Sequence, residues 1–361
     1  MSRVPEVTPG RALPAATLVR MPAPRAESAP DFPGVQLHIV TGKGGTGKST
    51  VAAALALALA SDGTHVLLCE VEGRQGIARM FDVEPLPYAE RRIATGLVGP
   101  EGQRGGVVHA LHIDPESALL EYLSMYYKLG RAGRALDRFG VIEFATTIAP
   151  GVRDVLLTGK VYEATRRNAR NRDAITYDAV VLDAPPTGRI AQFLGVNDEL
   201  AGLARMGPIK SQADSVTRLF RSSQTACHLV TVLEEMPVQE TADGIAELRR
   251  HGIPVGGVVV NQVRPRDLDQ DDLTAIRANK VPKKRVAGDL TRAGLPGSGT
   301  LVTGLLNEAR DHAERRALED SQRAVVQTLE VPSYELPLLV GGIDLGGLYE
   351  LAGYLRDQGM A

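Results

Sequence analysis

Residues 42–49 read Gly-Lys-Gly-Gly-Thr-Gly-Lys-Ser, and no other stretch restricts the possible fold as much. The octet fits the phosphate-binding pattern G-x-x-x-x-G-K-[ST]. Such a loop works between a strand and the N-terminus of a helix, where backbone N–H groups and the helix dipole converge on an anion. The flanks match: Val35–Val40 (VQLHIV) reads as a buried strand and Val51–Ala60 (VAAALALALA) as an Ala/Leu helix. In that setting Gly42, Gly44, Gly45, Thr46, Gly47 and Thr50 belong to a cradle around nucleotide phosphates. Lys48 is placed between the β- and γ-phosphates, and the Ser49 hydroxyl is placed on Mg²⁺.

The remaining chain supplies a sheet to carry this loop. Apolar, β-branched runs alternate with helical patterns, which argues for an α/β fold with a parallel sheet covered on both faces. The strand candidates are Val35–Val40, His65–Val71, Val107–Ile113, Ala179–Leu182, Cys227–Leu233, Val255–Val260 and Val325–Val331. Three intervening stretches, about 114–172, 198–222 and 269–319, read as insertions that build a helical subdomain on a single domain spanning 35–361. The first insertion opens with Asp114-Pro115, an N-cap followed by proline at the first helical position. Its segment Leu119–Leu129 is apolar around most of its circumference, which suits either a bundle core or the wall of a groove. Further helices are expected over Arg131–Phe144 and Val152–Asn171, and a last one over Gly346–Arg356.

Composition narrows the function classes. The net charge of −2 over 361 residues gives no global attraction for nucleic acid or an acidic membrane surface. Tryptophan is absent and aromatics make up 4%, which leaves few stacking platforms for bases. The helix at Gly346–Arg356 lacks the basic amphipathic face of a membrane-binding segment. No stretch reaches the roughly 18–20 apolar residues of a membrane span. Residues 1–34 carry seven prolines and read as a disordered tail without the apolar core of a secretory signal. Cys69 and Cys227 lie far apart in apolar runs and form no C-x-x-C, a pattern that fits small buried side chains in a reducing cytoplasm.

Three more strand ends carry candidate site residues. Val180-Val181-Leu182 runs into Asp183, and an apolar strand ending in a carboxylate places that group near Mg²⁺, directly or through water. The second strand leads to Glu70-Val71-Glu72. Val258-Val259-Val260 ends in Asn261-Gln262, whose side-chain amides offer both donor and acceptor; Asn261 suits an adenine edge or a turn equally well.

Lys43, directly after the first glycine, makes the loop resemble the deviant form K-G-G-x-G-K-[ST]. That form is found in the anion-transporting (ArsA) and guided-entry ATPases, the nitrogenase iron protein and the ParA/MinD ATPases. Asp183-Ala-Pro-Pro-Thr-Gly-Arg189 is similar to the D-T-A-P-T-G-H switch of the ArsA and guided-entry members, with Arg189 in place of histidine. Ile113–Tyr122 resembles their I-D-P-x-x-A-L-x-E-Y segment, and Pro150-Gly151 with Asp154 resembles their P-G-x-x-E turn. Leu336-Pro337-Leu338 resembles the loop closing over the base. Lining up the second strands puts Glu72 on the water-orienting Asp of D-P-A-H, with Gly73-Arg74-Gln75 replacing Pro-Ala-His; Glu70 is out of register for that task.

The resemblance implies a P-loop ATPase with a mostly parallel twisted sheet flanked by helices, using ATP and Mg²⁺. It implies catalytic roles for Lys43, Lys48, Glu72 and Asp183, with Ser49 and Asp183 at the metal and Asn261, Gln262 and Pro337 at the base. It also implies a homodimer, or a heterodimer with a similar ATPase subunit, in which each Lys43 reaches the opposite nucleotide, and a protein client on the helical subdomain. Two alternatives stay open. One is a ParA/MinD-like positioning protein, against which the balanced charge argues; the other is a weakly catalytic partner subunit, which Glu at position 72 favours.

Overall fold

A computed structural model describes residues 30–361 except 62, 74, 99–104, 128–150, 168–173 and 204–207. The helix expected over Arg131–Phe144 lies outside these residues, as does most of the expected tail. Eight strands form one sheet: β1 (Leu37–Gly42), β2 (His65–Glu70), β3 (Arg91–Thr95), β4 (Val107–His112), β5 (Ala179–Asp183), β6 (Thr225–Thr231), β7 (Val255–Val263) and β8 (Ser333–Pro337). Their order is β3-β4-β2-β5-β1-β6-β7-β8, and only β3 runs antiparallel. This is the mostly parallel, helix-flanked sheet that the alternating pattern predicts.

Alternation along each strand divides two apolar layers. Leu37 and Ile39 of β1 face one layer and Val40 the other. The second layer receives α1 (Lys48–Leu59), α2 (Gly76–Met80) and α11 (Leu345–Asp357). Val51 through Ala58 are all fully buried, so α1 is enclosed on every side, as a helix without a polar face must be. The first layer is covered by α4 (Val152–Thr165), α5 (Thr187–Leu203), α6 (Pro208–Phe220) and α7 (Glu235–Arg250). In the first insertion α3 (Pro115–Tyr127) starts where Asp114 accepts the Ser117 N–H at 2.9 Å, the expected cap, and packs against α4. The helices α8 (Gln270–Arg277) and α9 (Lys283–Arg292) both pack on α10 (Gly299–Gln327), and α10 also meets α7.

One expectation needs correction. Val325–Val331 is not a strand. Val325 and Val326 belong to the end of α10, whose long Ala-, Arg- and Glu-rich run carries the helix past them. The chain turns at Glu330, in the left-handed region, and Pro332, and the last strand begins at Ser333. The edge strand β3 adds to the strands that the sequence pattern predicts, since RRIAT has no apolar alternation to announce it. A short, charged edge of this kind protects a sheet from pairing with another.

The chain ahead of β1 is anchored. The Asp31 N–H donates to the Gly359 carbonyl (2.8 Å), and Tyr334 Oη–H donates to the Asp31 carboxylate (2.6 Å). Phe32 stands edge-on to the His228 ring, 4.9 Å between centroids.

Candidate functional site

The phosphate-binding octet occupies the C-terminal end of β1, between β5 and β6. The connection leaving β1 crosses to β2 through α1 on one face, and the one leaving the adjacent β5 crosses to β6 through α5 and α6 on the other, a switch point at which open α/β sheets bind ligands. The loop's shape depends on its glycines. Gly47 has φ 89°, and a Cβ on it would stand 2.3 Å from Asn261 Nδ2. A Cβ on Gly42 would stand 2.2 Å from the Val230 carbonyl oxygen. Thr46 Oγ1 donates to the Lys43 carbonyl at 2.9 Å and closes the turn.

Asp183, ending β5, comes to rest beside Ser49 in the first turn of α1: Ser49 Oγ donates to its carboxylate at 2.5 Å. Burial pushes Asp183 up to about 6, against the pull of Ser49 and Lys48, while Glu70 and Glu72 push it further. Residues 134 apart in sequence therefore form a pair of hard oxygen donors in a place short of positive charge. That donor set fits Mg²⁺, which takes a few protein oxygens and completes its shell with phosphate and water. Among the described residues no cluster of three or more His, Cys, Asp or Glu forms an all-protein metal cage. Thr41 Oγ1, also at the end of β1, donates to the Pro185 carbonyl at 2.7 Å and ties the phosphate loop to the turn after Asp183.

Glu72 is half-buried in the turn between β2 and α2. It lines a cavity of about 140 Å³ with Arg153, Asp154, Pro185 and Arg189. Arg189, at the start of α5, lies 3.6 Å from the Asp154 carboxylate in the first turn of α4. Burial raises the Asp154 pKa, and Arg189 opposes the rise. The turn after Asp183 thus meets the helical layer through an ion pair, on the wall that also holds Glu72.

Glu70 is 2% exposed, on the register shared by Asp183 on one side and His112 on the other. One of its oxygens accepts the Gly76 N–H at 2.8 Å; the other has no hydrogen-bond partner and stands 3.7 Å from His112 Nδ1.

Asn261 sits in an irregular stretch of β7, where Val260 pairs with Glu335 and Val263 with Pro337, leaving one extra residue. Such bulges re-aim side chains. Here Asn261 Nδ2 donates to the Thr46 carbonyl at 2.8 Å, so its amide braces the phosphate loop. Gln262 is exposed, with φ 58°, and Pro337 is buried at the end of β8. Lys43 turns toward α7, where its Nζ meets Glu240 at 2.7 Å, with both side chains about one-third exposed. Neither Glu240 nor Thr41 carried a sequence signal. Each makes its contact across more than a hundred residues, and each type is common in any fold.

The fold brings the phosphate loop, Asp183 and Asn261 together at the C-terminal ends of the central strands, and the chain can be set beside known sequences. The sequence model of the anion-transporting ATPase family matches residues 35–223 and 202–291. ATPase BagA of Mycobacterium tuberculosis is 52% identical over 327 residues, covering 91% of this chain and 94% of its own. ATPase GET3B of Arabidopsis thaliana is 23% identical over 275 residues, 63% of this chain and 64% of its own. ATPase ARSA1 of Chlamydomonas reinhardtii is 23% identical over 294 residues, 68% of this chain and 37% of its own. With a phosphate loop, an acid-tipped neighbouring strand and this breadth of sequence match, the chain belongs to the anion-transporting (ArsA) ATPase family.

Proposed function

We propose that this protein is an ATP-driven dimeric switch, in which the state of the nucleotide sets the position of the helices above the sheet. The observation that carries the reading is the Ser49–Asp183 contact at the mouth of the phosphate loop, on a turn that is itself paired to α4 through Arg189 and Asp154. Lys48 holds the β- and γ-phosphates, and Asn261 keeps the loop in shape to receive them. Ser49 and Asp183 would hold Mg²⁺, whose contribution when bound is to neutralise charge on the phosphate oxygens. Glu72 faces the cavity beside that turn and orients the attacking water. Lys43 supplies positive charge to the partner subunit's nucleotide, in the manner of an arginine finger, and must leave Glu240 to do so. Loss of the γ-phosphate frees the Asp183–Arg189 turn, and the Arg189–Asp154 pair passes the change to α4 and to a protein client bound there.

A specific observation favours a second reading: glutamate rather than aspartate at position 72 suits a slow subunit that lends Lys43 to a more active partner. Both readings are tested by measuring ATP binding and turnover in Lys48→Ala and Lys43→Ala variants, with the oligomeric state followed by light scattering. Lys48→Ala should lose binding. Lys43→Ala should bind ATP and lose the turnover that depends on dimer formation; full turnover in that variant removes the cross-subunit role. Turnover that appears only on adding a second, similar ATPase subunit selects the second reading.

A further inference from the structure

We infer that Glu70 and Gln75 are positioning residues that hold the Glu72 turn in its working geometry; the inference rests on the water-orienting role proposed for Glu72. The turn between β2 and α2 has little regular structure to define it. Gln75 is at φ 52°, in the left-handed region, which a residue with a Cβ seldom holds without surroundings that fix it.

Two side chains fix it instead. Glu70 ends β2, and one of its carboxylate oxygens accepts the N–H of Gly76, the first residue of α2, at 2.8 Å. The bond closes the loop over the five residues between them, with Glu72 inside. Gln75 makes two bonds to one residue beyond the loop: its Nε2 donates to the Leu86 carbonyl at 3.1 Å, and its Oε1 accepts the Leu86 N–H at 2.8 Å. This is the pairing a neighbouring strand would make, supplied by an amide side chain.

The burial of Glu70 makes the point sharper. A carboxylate that is 2% exposed and has one hydrogen bond is an unfavourable way to cap a five-residue helix. A serine or asparagine next to α2 would cap it without desolvating a charge. The position of Glu70 is explained if the segment being held is Val71–Gln75 rather than α2. An orienting carboxylate misplaced by about an ångström loses on the order of a hundredfold in rate, so clamps at both ends of the turn act on catalysis through Glu72.

The experiment is a double-mutant cycle on the full-length protein, with ATP affinity measured apart from turnover. Glu70→Ala and Gln75→Ala should each lower turnover by about tenfold or more and leave ATP affinity as it was. Glu70→Gln should restore most of the turnover lost in Glu70→Ala, because its amide oxygen still accepts the Gly76 N–H. In a Glu72→Gln background, adding Glu70→Ala should change nothing further, because the clamp then has nothing to position. Hydrogen exchange of the peptide containing Val71–Gly76 should speed up in Glu70→Ala and not in Glu70→Gln, a readout independent of catalysis.

If Glu70→Ala multiplies the defect of Glu72→Gln, or if Glu70→Gln is as slow as Glu70→Ala, the clamp inference is overturned while the role of Glu72 stands. If Glu72→Gln alone turns over at the parent rate, the water-orienting role itself fails. Should Glu70→Ala not fold, Gln75→Ala and Glu70→Gln carry the same cycle.

Discussion

Lowering the pH from about 8 to about 5 should remove roughly 2 kcal/mol of stability through His38 alone, and His228 adds to the loss in the same direction. His38 on β1 and His228 on β6 are both buried, with Nδ1 of the first 3.1 Å from Nε2 of the second and the rings nearly parallel. Their partners determine the tautomers. His228 Nδ1 accepts the Gly257 N–H at 3.2 Å, so its Nε2 carries the proton and donates to His38 Nδ1. His38 then holds its own proton on Nε2, consistent with its hydrogen bond to the Val35 backbone. Adding a proton to either ring opposes one N–H with another in an apolar pocket.

Burial accordingly lowers His38 to about 4 and His228 well below 6.5. Because the unfolded chain takes up protons that the folded protein refuses, stability is complete above pH 6.5 and drains away as the pH falls toward 4. At pH 5 the His38 ring accounts for about 2 kcal/mol, and His228 shifts stability with the same sign. Urea unfolding of the parent and of a His38→Phe/His228→Leu variant across this range isolates the effect, since every other titrating group cancels in the difference. The variant has a fixed cost from the unpaired Gly257 N–H, and its stability should fall less with acid, by about 2 kcal/mol or more. Parallel curves would refute the neutral-pair argument.

Three further outcomes follow from close contacts. Gly47→Ala combines φ 89° with a Cβ 2.3 Å from Asn261 Nδ2, and a strain of about 1–3 kcal/mol should weaken nucleotide binding by about fivefold or more in a fluorescent-ATP titration. Affinity equal to the parent's would mean that the loop does not need this shape to bind. Gly256→Ala drives a Cβ to 2.5 Å from the His228 ring and should lower unfolding free energy by about 1–3 kcal/mol, read as a drop in the urea midpoint. Glu240→Gln releases Lys43 from a partly exposed ion pair, which is worth under about 1 kcal/mol. Stability should hardly move, while the ATP concentration that half-assembles the proposed dimer falls up to about fivefold for each pair broken. An unmoved midpoint would show that Glu240 does not restrain the lysine.

The fold around the phosphate loop is largely legible in the chain, because its sequence signals are local. Eight consecutive residues, flanked by an apolar strand and an Ala-rich helix, determine the loop, and a strand tipped with Asp183 determines the neighbouring edge. What stayed hidden is non-local or contrary to pattern. Val325–Val331 has strand composition, but α10 continues through its first residues because the preceding run favours helix. The strand at Arg91–Thr95 exists because β4 offers it an edge, not because its residues prefer one. Asn261 reads as a base contact or a turn residue, and only the bulge in β7 turns its amide onto Thr46. Glu70 looks out of register for chemistry, and its bond to Gly76 appears only once the turn is folded.

The bond from Asp31 to Gly359 has a practical consequence. Residues 31 and 359 touch at the border of the sheet where β1 begins, opposite the border where the phosphate loop opens. A short peptide joining 359 to 31 would need to cross almost no distance, so the molecule is suited to circular permutation, with new ends cut into an exposed connection such as the one between α9 and α10. Labels or fusion partners attached through residues 31 or 359 would sit far from the phosphate loop and its Lys43.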